Sequence, residues 1–143
     1  MQTVTIDRRK LMTLGFVVLI AFAFMNGLQS TSPAVKEKVK EVTAAEAKAL
    51  IDAGAVVIDV RPGAADSALH IPGAIFIPLE VLSVNLPKIE AYRGRAVVVY
   101  CGDGSTSGPS ATAQLNRAGF TQAVNLRSGF EGWRAAGLPT KAG

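Results

Sequence analysis

The chain has 143 residues, a length that suits one domain with a short additional segment. Hydrophobic residues make up 49% and charged residues 18%, a composition that supports a packed core and excludes a wholly disordered chain. The net charge is +4, and three basic residues and one acid within residues 7–10 supply +2 of it. The rest of the chain is close to neutral, so we expect no basic surface for nucleic acid and no nucleic-acid partner.

Three basic residues, Arg8, Arg9 and Lys10, precede an apolar run of 18 residues at 11–28. A basic flank before such a run is typical of a secretory signal, and a membrane span needs roughly 20 residues. We therefore predict that residues 1–28 are a signal peptide or an uncleaved membrane anchor; the alternative is a buried N-terminal helix. An anchor would place the domain on the periplasmic or extracellular side of the membrane, whereas cleavage would release it into the periplasm.

The polar and small residues at 29–37 predict a linker, which leaves residues 38–143 as the domain. Thr43 and Glu46 have the spacing of a capping box at the start of a first helix. In chain order, the patterns predict a helix at 43–52, a strand at 56–60, a strand at 74–77, a helix at 79–89, a strand at 96–100, a helix at 110–118, a strand at 124–126 and a helix at 130–136. Apolar strands that alternate with helices predict an α/β fold with a parallel sheet covered on both faces.

The single cysteine, Cys101, follows the strand predicted at 96–100, and small or flexible residues come after it. One cysteine allows neither an intrachain disulfide nor a zinc site built from cysteines. The carboxyl end of a parallel strand is where α/β proteins bind ligands. Gly102 and Gly104 allow backbone N–H groups to turn inward, and the next helix points its positive end at the same place, which favours a thiolate. The alternative is that Cys101 is a small buried core residue.

The pattern Cys101-x-x-Gly104-x-x-Ser107 after an apolar strand resembles the active-site loop of the rhodanese family. Two further segments resemble motifs of that family: Asp59-Val60-Arg61 with His70-Ile71-Pro72-Gly73-Ala74, and Leu126-Arg127-Ser128-Gly129 with Trp133 and Gly137-Leu138-Pro139. The resemblance covers residues 38–140. With its predicted export segment, the chain is similar to the periplasmic, single-domain phage-shock members of the family.

The resemblance implies a rhodanese-like three-layer fold and sulfurtransferase activity that needs no cofactor and no metal. Cys101 would take the outer sulfur of thiosulfate or a related donor, hold it as a persulfide, and pass it to a small thiol or cyanide. Backbone N–H groups of residues 102–106 would stabilise the thiolate and the persulfide. The loop residues expected at the substrate are Gly102, Asp103, Gly104, Ser105, Thr106 and Ser107.

The loop departs from the family pattern at the positions that usually carry cations. Many members have arginine directly after the cysteine and a basic residue at the fifth position, where this chain has Gly102 and Thr106. Because Asp103 adds a negative charge, we expect weak thiosulfate turnover or a different donor. Ser107 stands where related phosphatases need arginine, which argues against phosphatase activity. Two other functions remain open: a non-catalytic or sulfur-carrier module that binds a protein partner, and an extracytoplasmic thiol redox sensor.

Five further residues have predicted roles, and for two of them, Asp59 and Arg61, the resemblance implies a mainly structural role. Asp59 and Arg61 could shape the pocket, but we expect them to brace loops through a salt bridge or through hydrogen bonds to backbone. His70 could act as a base for Cys101, although we expect a structural hydrogen bond there. Trp133 is expected in the core. Ser107 has two candidate roles, contact with a ligand or capping of the following helix.

Overall fold

The computed structural model describes residues 37–63 and 69–143. The predicted leader, residues 29–36 of the predicted linker and residues 64–68 lie outside this part of the chain. None of the helices within the two described ranges combines the length and the hydrophobicity needed to cross a membrane.

The strands, in chain order, are β1 Glu41–Val42, β2 Val56–Asp59, β3 Leu69–His70, β4 Ile75–Phe76, β5 Val97–Tyr100, β6 Ala123–Leu126 and β7 Lys141–Ala142. Five of them form a parallel sheet in the order β1-β6-β5-β2-β4. The other two, β3 and β7, pair antiparallel. Every residue of β2, β5 and β6 is buried, as expected for the apolar strands of a sheet covered on both faces.

The helices are α1 Ala44–Asp52, α2 Leu82–Ile89, α3 Ser107–Arg117 and α4 Gly129–Ala135. Short 3-10 turns at Leu79–Val81 and Glu90–Tyr92 flank α2. The predicted capping box at the start of α1 is present, because Thr43 Oγ1 accepts the Glu46 N–H and the Glu46 carboxylate accepts the Thr43 N–H.

Side chains that alternate along the central strands divide between two apolar cores. One core lies between the sheet and helices α2 and α3, and includes Ile58, Val99, Leu82 and Leu115. The other lies between the sheet and helices α1 and α4, and includes Val57, Val98, Ala47 and Trp133. The α/β fold with a mostly parallel sheet between two helical layers is therefore confirmed.

Helix α3 begins three residues earlier than the sequence pattern predicts. Ser107 is its first helical residue and Thr106 occupies the N-cap position, where no side chain caps the helix. The capping role considered for Ser107 is therefore wrong. Pro109 lies in the first turn of this helix, where a proline fits because its missing N–H has no intrahelical partner.

Candidate active site

Cys101 lies directly after β5, at the carboxyl edge of the sheet. Its side chain is 4% exposed and belongs to the apolar core beneath α2 and α3. Its Sγ also accepts a hydrogen bond from the Gly104 N–H, with an N–S distance of 3.2 Å. The sulfur therefore contacts the apolar core on one side and a loop amide on the other, and this amide favours a negative charge on sulfur.

Residues 102–106 form the loop between Cys101 and α3, and neighbouring backbone fixes its shape. Gly104 has a φ of +80°, and a Cβ there would overlap the carbonyl oxygen of Arg127. The first N–H groups of α4 donate to the loop from the other side: Phe130 to the Cys101 carbonyl at 2.8 Å and Glu131 to the Gly102 carbonyl at 2.9 Å. The Gly104 N–H is thus held in place before any substrate arrives.

Asp103 occupies the exposed rim of this loop. Its carboxylate accepts the Ser105 N–H at 3.0 Å and the Ser105 hydroxyl at 2.7 Å, and these bonds, the backbone one first, lower the pKa of Asp103. Its Oδ1 lies 3.8 Å from Cys101 Sγ. Within the described residues, Gly104 is the one loop residue whose N–H donates to Sγ, and the Ser105 N–H is directed at Asp103 instead. The prediction that the N–H groups of residues 102–106 stabilise the sulfur together is therefore wrong.

The other residues of the loop lie on either side of Asp103 and Gly104. Gly102 contributes its carbonyl to α4, Ser105 and Thr106 are exposed, and Ser107 opens α3. Every loop side chain that reaches solvent is therefore a carboxylate or a hydroxyl, and the loop presents no cation to a ligand.

Asp59 and Arg61 pair at the carboxyl end of β2. Arg61 Nη2 lies 2.7 Å from Asp59 Oδ2 and donates to the Leu69 carbonyl at 3.1 Å. The guanidinium carbon stands 4.4 Å from the centre of the Phe130 ring. Burial acts to lower the pKa of Arg61, but the hydrogen bonds and charge of Asp59 together outweigh it and raise that pKa. The pair connects β2, β3 and α4, which is a bracing arrangement.

His70, Trp133 and Tyr100 are all buried. The His70 ring packs edge-on against Phe76 at 5.0 Å, and its Nδ1 has no hydrogen-bond partner in the described part of the chain. The structural hydrogen bond expected of His70 is therefore not found at this atom. Trp133 donates from Nε1 to the Pro139 carbonyl at 2.8 Å, and its predicted place in the core is confirmed. The Tyr100 hydroxyl accepts the Ile71 N–H, and burial, followed by the nearby Asp59, raises the pKa of this phenol.

Asn125 is a residue of this region that the sequence reasoning missed. It is fully buried in β6, on the same face of the sheet as Cys101, and donates to the Gly104 carbonyl at 3.0 Å. The available signal was a single amide within the otherwise apolar run of β6, because a buried polar side chain needs hydrogen-bond partners.

The fold and the loop define an α/β domain with a cysteine at the carboxyl edge of its central sheet. The sequence model of the rhodanese-like domain matches residues 43–136, and the chain belongs to that family. The resemblance found in the sequence motifs is therefore confirmed.

Known proteins similar to this chain include both sequence relatives and a solved structure. YibN of Escherichia coli strain K12, an uncharacterized protein, is 31% identical over 96% of this chain and 94% of its own length. The thiosulfate sulfurtransferase GlpE of Pseudomonas fluorescens strain Pf0-1 is 35% identical over 66% of this chain and 84% of its own. A crystal structure of a rhodanese-related protein from Thermoplasma volcanium has a TM-score of 0.62 and 27% identity, and covers 71% of this chain and 96% of that one.

Proposed function

We propose that this protein is a sulfurtransferase that moves sulfane sulfur through a persulfide on Cys101. The observation that carries the proposal is the hydrogen bond from the Gly104 N–H to Cys101 Sγ at the carboxyl edge of the sheet. A fixed amide at this distance stabilises a thiolate, which is the nucleophilic form of cysteine. The similarity to proteins named sulfurtransferases supports the same function.

In the proposed reaction, the Cys101 thiolate attacks the outer sulfur of thiosulfate or a related donor. A new S–S bond forms on Cys101, the S–S bond of the donor breaks, and sulfite leaves with the bonding electron pair when thiosulfate is the donor. A thiol or cyanide then attacks the terminal sulfur, and Cys101 leaves as the thiolate. The Gly104 N–H acts on a sulfur that is anionic at the start and at the end of the cycle.

Charge at the loop supports a donor less anionic than thiosulfate. The Asp103 carboxylate stands 3.8 Å from Sγ, and its lowered pKa keeps it ionised at neutral pH. A dianion that approaches Sγ is repelled by this charge, and the exposed loop side chains offer it no cation. We therefore propose that a neutral or singly charged persulfide or thiol-linked donor is preferred.

The test is mass spectrometry of the purified protein after treatment with a sulfane sulfur donor. We expect an adduct of about 32 Da on Cys101, which cyanide removes and which does not form in Cys101→Ala. The persulfide of cysteamine, whose ammonium group offsets the charge on sulfur, is tested beside thiosulfate to examine the proposed preference. Absence of the adduct with both donors, from protein whose thiol is otherwise reactive, would rule the sulfurtransferase function out.

A second candidate is a carrier or non-catalytic module that binds a protein partner. It is favoured by the 4% exposure of Cys101, because a small acceptor has little access to this sulfur unless the loop moves. This function predicts partner binding that survives Cys101→Ala, or a persulfide that cyanide removes only slowly. A sulfenic acid or mixed disulfide without any persulfide would instead support the redox-sensor alternative.

We also propose that residues 1–28 export the domain and either anchor it or are cleaved. The basic flank at residues 8–10 and the apolar run behind it support this proposal. The relative from Escherichia coli aligns over 96% of this chain, so the alignment extends into the N-terminal segment. In cells, the double variant Cys101→Ala, Thr140→Cys should react with a membrane-impermeant maleimide, because position 140 is exposed. Labelling only after lysis would contradict an extracytoplasmic domain.

A further inference from the structure

Asn125 connects β1 with the loop that follows Cys101. Its side chain is fully buried, in the strand beside β5 and on the sheet face that holds the sulfur. Its Nδ2 donates to the Gly104 carbonyl at 3.0 Å and to Glu41 Oε1 at 3.2 Å. Both partners are pure acceptors, so the amide orientation is determined by its surroundings.

Gly104 is thereby held on both of its peptide groups. Its carbonyl accepts from Asn125 and its N–H donates to Cys101 Sγ. At the outer end, Glu41 lies 3.4 Å from Arg127 in an ion pair between half-exposed and exposed side chains. A continuous chain of polar contacts therefore runs from the surface through Glu41, Asn125 and Gly104 to the sulfur.

The start of α3 fits closely around the same amide. A Cβ on Gly108 would overlap Asn125 Oδ1 and would lie 3.3 Å from Cys101 Sγ. Asn125 Oδ1 has no hydrogen-bond partner within the described residues. A buried acceptor without a partner is costly, and the Nδ2 contacts with Gly104 and Glu41 offset that cost. This arrangement is unusual for a residue needed only for packing, since a leucine would fill the space without bringing an unpaired acceptor of its own into the core.

We propose that Asn125 is a positioning residue, which fixes the Gly104 peptide so that its N–H stabilises the Cys101 thiolate. The inference rests on the proposed role of Cys101 as the nucleophile. Without the bond from Nδ2, the Gly104 carbonyl is buried and unpaired, and the residue rotates away from the orientation that serves the sulfur. Asn125 itself does not touch the reacting atoms.

The test is the pH profile of Cys101 alkylation by the neutral reagent iodoacetamide, measured on the whole chain. The plateau at high pH reports access to the sulfur, and the position of the profile reports how well the thiolate is stabilised. In Asn125→Leu the profile moves to higher pH, and the rate at neutral pH falls by about tenfold, the size expected for a hydrogen bond to a charged group. An unmoved profile in a folded Asn125→Leu protein overturns the proposal.

Thr112→Val is the matched control for the buried substitution. Thr112 is also fully buried, and its hydroxyl donates to a backbone carbonyl other than that of Gly104, the Gly108 carbonyl at 2.8 Å. The Thr112→Val substitution should lower the melting temperature without moving the alkylation profile. A shift in Thr112→Val as large as that in Asn125→Leu would show that general loosening of the core causes the effect, and would overturn the proposal.

Glu41→Ala decides the question if Asn125→Leu does not fold. The Glu41 side chain is 37% exposed, so its removal should leave the fold intact while loosening the amide that it orients. We expect the alkylation profile of Glu41→Ala to move in the same direction, and the rate at neutral pH to fall by about twofold to threefold. Glu90→Ala, which breaks the exposed pair with Arg93, is the control and should leave the profile unchanged. A wild-type profile in Glu41→Ala, with Asn125→Leu unfolded, also overturns the proposal.

Persulfide formation is measured separately on the same variants. A wild-type chain that forms no persulfide, with a shifted alkylation profile in Asn125→Leu, contradicts the sulfurtransferase function but leaves the positioning role in place. A wild-type chain that forms the persulfide, with unshifted profiles in the variants, contradicts the positioning role alone.

Discussion

At the scale of single residues, the Asp103 carboxylate places a negative charge close to the sulfur. Its carboxylate is held by two hydrogen bonds from Ser105 and lies 3.8 Å from Cys101 Sγ. Asp103→Asn keeps the side-chain shape and an oxygen that accepts the Ser105 N–H, but removes the charge. We predict that the rate constant for persulfide formation from thiosulfate rises by about tenfold, and that the rate with an uncharged donor changes less. Stopped reactions analysed by mass spectrometry give both rates.

Asp52→Asn is the control for this change, because it removes the same charge from an exposed carboxylate at the end of α1. It should leave both rates at the wild-type value. The pKa of Asp103 is lowered by its bonds with Ser105, so the repelling charge is present throughout the range from about pH 5 to about pH 8. The ratio of variant to wild-type rates with thiosulfate is compared at one neutral pH, where this charge is present, and a ratio near one would contradict the assigned role.

At the scale of elements, the capping box of α1 connects a sequence motif directly to stability. Thr43→Ala removes the acceptor of the Glu46 N–H, and we expect the free energy of unfolding to fall by about 1 kcal/mol. Urea denaturation followed by circular dichroism measures this. Thr140→Ala, at an exposed position outside any helix, should change stability by less than about 0.5 kcal/mol. Equal effects of the two substitutions would mean that the box contributes nothing.

The same box makes part of the stability depend on pH. The Thr43 N–H, followed by the Thr43 side chain, lowers the pKa of Glu46 from its ordinary 4.5. A carboxylate with a lowered folded pKa stabilises the protein above its unfolded pKa, and this contribution is lost as the pH falls through the folded value. Glu46→Gln should therefore be less stable than wild type at neutral pH, and the difference should disappear under acidic conditions in matched denaturation curves.

Long apolar runs and local capping patterns predicted most elements because their signals lie within a few neighbouring residues. The strands at 56–60 and 96–100 are found as β2 and β5, and the capping box correctly predicts the start of α1. Strands β1, β3 and β7 have two residues each, too few to show a period, and only their distant partners create them. Asn125 was missed for the same reason, because its contacts with Gly104 and Glu41 join residues far apart in sequence.

At the scale of the whole molecule, one sheet serves two cores. Strands β2 and β5 send alternate side chains into the core beneath α2 and α3 and into the core beneath α1 and α4. Because the same strands form one wall of each core, loss of packing in either core would uncover one face of the shared sheet. The described part from residue 37 onward should therefore unfold as one cooperative unit, despite its two separate apolar clusters.

Leu115→Ala tests this coupling. Leu115 is fully buried in the core beneath α2 and α3, whereas Trp133 lies in the core beneath α1 and α4. We predict that the free energy of unfolding falls by about 2–5 kcal/mol, as for other large-to-small changes in cores. Trp133 fluorescence and circular dichroism should show one coincident transition at a lower urea concentration, although the substitution lies across the sheet from the tryptophan. Val84→Ala, at a side chain that is 73% exposed, should leave the midpoint nearly unchanged. Two separate transitions in Leu115→Ala, with the fluorescence midpoint still at its wild-type position, would mean that the two cores fold independently.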